Sequence, residues 1–522
     1  MPGPDTVVAQ VPPRVGESSR HPTRRWSWLL DGLLLLAVTA LAVWLRLEPL
    51  GPSSLWLDDA WVAVAHRVDT LAELRAVGVS APGFVVLLRA WLLLVGYSET
   101  AAQLLPFVAG VAAPGLLYLV VVRRLGWDRL AGLAGAALLT VSPMAVEYAA
   151  RVKQYTLETV LAIGVFALTV WLLDDVRDRR RWAALVGLGL LATTVSVFVA
   201  PYVAAAVAAG LLLAARRRDV LALRRGLVAG ATYGLVALVW YLVALRPMVA
   251  PALQEFWSDG YLDAASGAGV ASRVIEILGR VLEGLSPLPA PVTGGLLLLA
   301  LVGLALRAPV WALAAATPTV VAVVLAALEL APLGGGRTDI YLYPSYALLL
   351  AGGLDALVRP RPSGRTSRAS RALVPLAVTG ALLVTAEPAG SYPRSDVRPL
   401  AAELTEQRED EALLVYPATV WAYALYTDDE IALQDDPASS WGFSPRFADD
   451  ATYVLPPGRD DPGAYRPTVQ RLVEDEVTDL WLLASHWRDD YAALQEQLSD
   501  VGFERVAETR RDGAELTRWE RG

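Results

Sequence analysis

Eleven stretches of this chain are apolar over most or all of the length needed to cross a bilayer. They lie near 27–47, 107–122, 130–147, 156–173, 183–200, 202–214, 226–245, 292–306, 310–328, 340–357 and 372–386. A spanning helix needs about 20 mostly apolar residues, because each adds about 1.5 Å against roughly 30 Å of hydrocarbon. The runs are continuous, whereas strands of a membrane barrel alternate apolar and polar positions. Over 522 residues, 55% are hydrophobic and the mean hydropathy is +0.43, too apolar for a soluble chain of this length. The expected fold class is a polytopic α-helical membrane protein with about eleven transmembrane helices.

Arginine placement orients the spans, since short cytoplasmic loops are enriched in Lys and Arg. The clusters are Arg24–Arg25, Arg123–Arg124 with Arg129, Arg177 with Arg179–Arg181, Arg216–Arg218 with Arg224–Arg225, Arg307, and the run Arg359–Arg371. With all of these inside, every second loop is cytoplasmic, as is the N-terminus. Residues 1–23, rich in Pro, Ser and Arg, read as a disordered cytoplasmic tail, and 24–386 as the membrane domain. "PGFVVLLRAWLLLVGY" (Pro82–Tyr97) would flip every later cluster outside if it spanned. It has 16 residues and carries Arg89 near its middle, so it reads as a helix in or near the outer surface. The first external loop then covers 48–106.

Charge divides the chain again. Residues 387–522 hold 29 acidic and 13 basic side chains, a balance of −16, and the remaining 24 acids and 32 bases give +8. Residues 391–522 therefore read as an extracytoplasmic acidic domain, and its alternation of strand-like and helix-like stretches predicts an α/β fold. There is no cysteine, so thiolate chemistry and disulfides are absent. The three histidines, His21, His66 and His486, are far apart, which gives a histidine-rich metal site little support.

Three external segments carry residues suited to chemistry. "LWLDDAWVAVAHRV" holds Asp58 and Asp59 where the first span leaves the membrane. Carboxylates there are costly unless hydrated, paired or used. They suit a general base whose neighbour tunes it or helps hold a cation. A simpler role is an N-cap for a helix starting at Ala60–Trp61 beside a solvated partner. "SPMAVEYAARVKQYTLE" (Ser142–Glu158) follows the third span. On a continuous helix Glu147, Arg151, Tyr155 and Glu158 share a face and Lys153, the chain's one lysine, points elsewhere. Arg151 and Lys153 are external cations against the positive-inside trend, suited to a phosphate at headgroup height; snorkelling is the simpler role. "GGGRTDIYLYP" (Gly334–Pro344) adds Arg337 and Asp339 in a glycine-rich loop. A base, a phosphate clamp and a lid converging on one cleft would serve a lipid phosphate.

These elements resemble the GT-C glycosyltransferases, in particular the family of protein O-mannosyltransferases and the lipid A aminoarabinose transferase. "WLDDAW" is similar to that family's acidic pair, with Asp59 in place of the usual Glu. "PGFVVLLRAWLLLVGYSETAAQLLPFVAGVAAPGLLYLVVVRRLG" is similar to its surface helix, Ser-Glu turn and following span, and the Ser142–Glu158 and Gly334–Pro344 segments to its Lys/Arg-x-Tyr element and late arginine loop. The resemblance covers about 27–360. It implies an enzyme using a polyprenyl-phosphate-linked sugar donor at the external face, with Asp58 as base and Lys153 and Arg337 on the lipid phosphate. Two departures stand out: Ser80-Ala81-Pro82 replaces the family's frequent His-Pro-Pro, and Arg151 stands where many members have Glu.

The expected function is glycosyl transfer to an unknown glycan, lipid or protein acceptor. Catalytic roles fall to Asp58 and Asp59, and substrate contacts to Arg151, Lys153, Tyr155, Glu158, Arg337 and Asp339. A divalent cation could share the work, although no complete ligand set is visible; nucleic acid is not an expected partner. The rival reading is a polytopic transporter or lipid-carrier flippase without transferase activity. It predicts internal repeats and polar groups at the bilayer midplane, whereas the charges here gather at external ends.

Overall fold

The computed structural model describes residues 23–77, 81–249, 251–262, 269–358, 368–390, 395–436, 439, 442–457 and 461–522. Except for Thr23, the expected tail over 1–23 lies outside them. The membrane part runs α1 (Thr23–Arg46), α2 (Leu57–Ala63), α3 (Leu71–Val77), α4 (Pro82–Val95), α5 (Glu99–Leu119), α6 (Arg129–Val141), α7 (Pro143–Glu147), α8 (Tyr155–Asp174), α9 (Arg179–Val195), α10 (Ala200–Arg216), α11 (Val220–Trp240), α12 (Pro251–Phe256), α13 (Val270–Leu285), α14 (Ala290–Arg307), α15 (Pro309–Ala327), α16 (Tyr343–Val358) and α17 (Arg368–Val384).

Eleven of these, α1, α5, α6, α8–α11 and α14–α17, coincide with the eleven apolar stretches. Among the described residues, eight helices are long and apolar enough to cross a membrane, and α6 with α7, bent by 61°, makes a ninth. Helices α9 and α17 have 17 residues each. The second span starts earlier than its apolar run suggests. The Ser98 hydroxyl caps α5 by accepting from the Ala101 N–H, and the helix continues through Pro106 and Pro114. Thr156 donates to the Pro106 carbonyl (2.7 Å), which ties α8 to α5.

Helix α16 forms the centre of the bundle, packed against α6, α14 and α15. Its span is 94% buried. Small residues allow that approach, as is usual where no solvent drives membrane helices together. A Cβ on Gly353 would lie 2.3 Å from Ala300 Cα, and one on Gly135 would lie 2.7 Å from the Ala347 carbonyl oxygen. Helix α4, with 14 residues, is too short to span. Phe84, Val85, Leu88 and Leu92 are buried, while Val86, Leu87, Leu93 and Leu94 are exposed. That split suits a helix lying along an interface.

The C-terminal domain consists of α18 (Val397–Gln407), β1 (Ala412–Val415), α19 (Val420–Tyr426), β2 (Ile431–Asp435), β3 (Phe443–Phe447), β4 (Thr452–Val454), α20 (Arg466–Glu474), β5 (Asp479–Ser485), α21 (Asp489–Asp500), β6 (Phe503–Arg511) and β7 (Ala514–Arg521). Its main sheet has the order β4-β1-β5-β7-β6. Strand β1 is parallel to β4 and β5, and β7 is antiparallel to β5 and β6. The apolar strands β1 and β5 are buried on both faces, as parallel strands between helices require. Helix α19 and the β2–β3 hairpin were not apparent from the sequence.

This domain is fused to the first loop by a shared core. Helices α2 and α4 bury Ala60, Val62, Phe84 and Leu88 in one cluster with Val420, Trp421, Leu413 and Leu483. Polar ties flank it. Arg67 donates to the carbonyls of Ala424, Thr427 and Asp429 (2.5, 2.6 and 2.6 Å). Tyr426 accepts from the Leu55 N–H at 2.7 Å, and Arg398 pairs with Glu99 at 2.6 Å.

Candidate active site

The two acids of the first loop have different surroundings because they are neighbours on a helix. Helix α2 begins at Leu57 with Trp56 at its N-cap, and neither Asp caps it with its side chain. Successive helical residues point about 100° apart, so Asp58 and Asp59 face in different directions. Asp58 lines a large cavity and pairs with Arg337 at 2.5 Å. Asp59, 3% exposed, turns away from that cavity. It pairs with buried Arg151 at 2.9 Å and accepts from the Val152 N–H at 2.9 Å.

The second interaction corrects the expectation for Ser142–Glu158, which is not one helix. The chain bends after α6 at Ser142–Pro143, leaves helical geometry at Arg151 (φ −88°, ψ 142°), and resumes it at α8. Asp59 takes the Val152 N–H that a continuous helix would have given to a carbonyl. Glu147, Arg151, Tyr155 and Glu158 therefore do not share a face. The break redirects Lys153 into the cavity beside Asp58, with its ammonium 4.5 Å from the Trp61 ring centre. Tyr155 also lines the cavity. Glu158 does not; it is 1% exposed and accepts from the Ser196 hydroxyl at 2.6 Å.

Asp339 is also outside the cavity lining. It is fully buried, and its two oxygens accept the N–H groups of Gly334 and Gly336, each at 3.0 Å. Both glycines have φ above +70°, a backbone region costly for residues with a Cβ. The closed loop delivers Arg337 to Asp58, with its guanidinium 5.4 Å from the Trp257 ring centre. Each cation of the cluster thus has an aromatic face, including Arg151 at 4.4 Å from Trp56, a contact that strengthens when water is excluded.

The electrostatics follow from this packing. Burial pushes the Asp58 carboxyl up, but Lys153, Arg337 and Arg151 more than offset it and hold it below the usual carboxylate range. Burial pulls the Lys153 ammonium down to about 8. At neutral pH Asp58 is thus a carboxylate and Lys153 still mostly an ammonium.

The cavity has a volume of about 1880 Å³, above the roughly 300–1,000 Å³ of typical small-molecule sites. Its polar end holds Asp58, Lys153 and Arg337. From there it runs between α10, α11 and α15 along an apolar wall that includes Gly226, Gly230, Gly234 and Tyr241. From Gly226 on α11 to Tyr241 just past its end, the wall extends over about 22 Å at about 1.5 Å per residue. The C-terminal domain closes the polar end with Tyr416, Tyr465, His486, Trp487 and Asp490. None of these was singled out as a site residue in the sequence. His486 has φ +50°, a strained region for a residue with a Cβ, at a cost of about 1–3 kcal/mol. Only folding shows that it stands against Trp56.

Among the described residues, no three His, Asp or Glu side chains stand together as metal ligands. Asp58 and Asp59 are each engaged with arginine. No step below is routed through a divalent cation.

No protein-family profile and no curated protein sequence matches this chain. Solved structures do. ArnT from Cupriavidus metallidurans in its apo state superposes with a TM-score of 0.52 at 16% identity, over 95% of this chain and 98% of that one. The same protein bound to undecaprenyl phosphate gives 0.53 at 16% identity, over 94% and 98%. An oligosaccharyltransferase from Archaeoglobus fulgidus gives 0.48 at 11% identity, over 94% and 75%. With ArnT the likeness extends over both the helical bundle and the C-terminal domain, and what it shows is a shared architecture: this chain has the fold of ArnT.

Proposed function

We propose that this protein transfers a sugar from a polyprenyl-phosphate-linked donor to an acceptor at the external membrane face, with its N-terminus cytoplasmic and its C-terminal domain extracytoplasmic. One observation carries the reading: Asp58, Lys153 and Arg337, from three separate loops, meet at the polar end of a cavity whose other end is a long apolar groove. The fold shared with ArnT, which binds undecaprenyl phosphate, supports it, as does the arginine pattern of the alternate loops.

The isoprenoid chain lies in the groove between α10, α11 and α15, and Lys153 and Arg337 hold the phosphate. As the bond from the sugar's C1 to the phosphate oxygen breaks, its electron pair stays on that oxygen, where the two cations stabilise it. The acceptor oxygen forms the new bond to C1, and its proton passes to Asp58. Arg337 exchanges Asp58 for the phosphate, which frees the base. One carboxylate and one leaving group give a single displacement with inversion; retention needs a second placed nucleophile. Asp59 and Asp339 position the loops that carry Lys153 and Arg337.

The decisive experiment supplies the purified protein with polyprenyl-phosphate sugars of differing headgroup and chain length and follows donor consumption. No consumption of any donor overturns the reading. The groove gives a sharper arm. A Cβ on Gly234 meets no atom within 4 Å, so Gly234→Leu fills the groove without disturbing α11. Its kcat/KM for a C55 donor should fall at least tenfold, while a C10 donor is affected less than threefold. Equal effects on both donors would remove the groove from the proposal.

The lysine predicts a pH dependence. Its pKa near 8 lies below the ordinary value of about 10.4, so the ammonium is lost as pH rises through about 8. Donor kcat/KM should then fall about tenfold per unit, and Lys153→Arg should move that limb to higher pH. An unchanged profile in the arginine variant would take Lys153 off the phosphate.

A further inference from the structure

His486 reaches the cavity from the end of β5, at the carboxyl edge of the parallel strands β4, β1 and β5. Open α/β sheets gather ligands at that edge. Its Nδ1 is 3.0 Å from the indole Nε1 of Trp56. An indole N–H only donates, so Nδ1 accepts, and a neutral imidazole in that role carries its proton on Nε2. Burial pulls the ring's pKa down to about 4, so neutral imidazole is the form present at physiological pH. Nε2 is shielded from solvent and has no hydrogen-bond partner among the described residues. Buried polar groups are otherwise nearly always paired. The ring lines the cavity and is close enough to Asp58 to feel its charge.

The next residue, Trp487, lines the same cavity with 38% of its surface exposed. It stacks on Tyr491 at 5.7 Å and 29°. Below it, Asp490 is fixed by the hydroxyls of Tyr416 (2.8 Å) and Tyr465 (2.5 Å). The carboxyl edge thus offers the cavity an aromatic face and, on an imidazole that lines it, an N–H with no partner among the described residues.

We propose that this edge of the C-terminal domain is the acceptor subsite and that it takes a saccharide, with the Nε2–H of His486 donating to an acceptor hydroxyl and the Trp487 ring packing on the sugar's C–H face. The inference rests on the transferase reading above and goes beyond it by naming the acceptor class. The lipid phosphate occupies the cations at the helix side of the polar end, and Asp58 only accepts hydrogen bonds. An acceptor with several hydroxyls can give one proton to Asp58 while a neighbouring oxygen is held by His486. A neutral donor aligns that neighbour without draining electron density from the attacking oxygen, as a bond to the attacking oxygen itself would.

The two ring nitrogens make the test specific. Glutamine places an amide N–H near the position of Nε2, whereas asparagine reaches only to the position of Nδ1. The full-length protein in detergent is given a polyprenyl-phosphate sugar and a set of methyl pyranosides, with transfer and donor consumption measured separately. His486→Asn should raise the glycoside KM at least tenfold with the donor KM unmoved, and His486→Gln should stay within threefold of the unaltered protein. Trp487→Ala should also raise the glycoside KM at least tenfold. Asn restoring activity better than Gln would mean that only the bond to Trp56 matters, which overturns the proposal. Donor consumed by the unaltered protein with sugar passed only to water would overturn the saccharide acceptor and leave the transferase reading intact. No donor consumption would remove both.

Discussion

Asp58→Asn protein should fold, keep its affinity for the lipid-linked donor and lose transfer by at least a hundredfold, read as kcat with polyprenyl-phosphate sugar. The substitution keeps the volume and the hydrogen bond to Arg337, now 2.5 Å from the carboxylate, and removes only the charge that receives the proton. General-base catalysis is typically worth 10²–10⁴-fold, which sets the scale of the loss. Donor affinity should hold or improve, because Arg337 and Lys153 no longer share their charge with a carboxylate. That opposite movement of KM and kcat separates a base from a structural counter-ion. If Asp58 served only to hold Arg337, the neutral variant would release the loop, raise the donor KM and leave kcat largely intact. Retention of more than a tenth of the kcat would refute the assignment of the base.

The parts legible in sequence were those set by local rules. The apolar runs predicted the bundle because a bilayer imposes length and continuity on each span separately. The α/β fold of the C-terminal domain followed from its alternation of strand-like and helix-like stretches. The convergence of the Asp58, Lys153 and Arg337 loops followed from their sidedness. What could not be read was any feature decided by a distant partner. At the helix break beside Arg151 the Val152 N–H is taken by Asp59, 93 residues earlier in the chain. Helical periodicity therefore sent Lys153 to the wrong face and put Glu158 in the site. Asp339 read as a substrate contact because nothing in "GGGRTD" says that its carboxylate closes its own loop. His486 lies hundreds of residues from Trp56, and only the shared core of the first loop and C-terminal domain brings them together.

Asp59→Asn should behave oppositely to its neighbour: the protein should become unstable rather than merely inactive. Asp59 and Arg151 are 3% and 4% exposed and pair with each other at 2.9 Å. Breaking a buried pair by neutralising one partner takes the nearest counter-ion from the other, a change that typically costs about 3–5 kcal/mol. That is a large share of a domain's stability. The expected result is a sharply lowered melting temperature and a poor yield of folded protein. Asn can still accept the Val152 N–H, so the loss is assigned to charge. The paired replacement Asp59→Asn with Arg151→Met should recover much of the lost stability, because the double change also removes the buried cation and leaves a side chain that fills its place. The non-additivity of the cycle then measures the coupling. Activity should not recover in step. Met lacks the guanidinium that spans Trp56 and Tyr148, so the segment bearing Lys153 is held less firmly and the donor KM should rise. A stable Asp59→Asn protein with a collapsed kcat would instead make Asp59 part of the chemistry. The two adjacent acids would then share one task, despite the helix turning them about 100° apart.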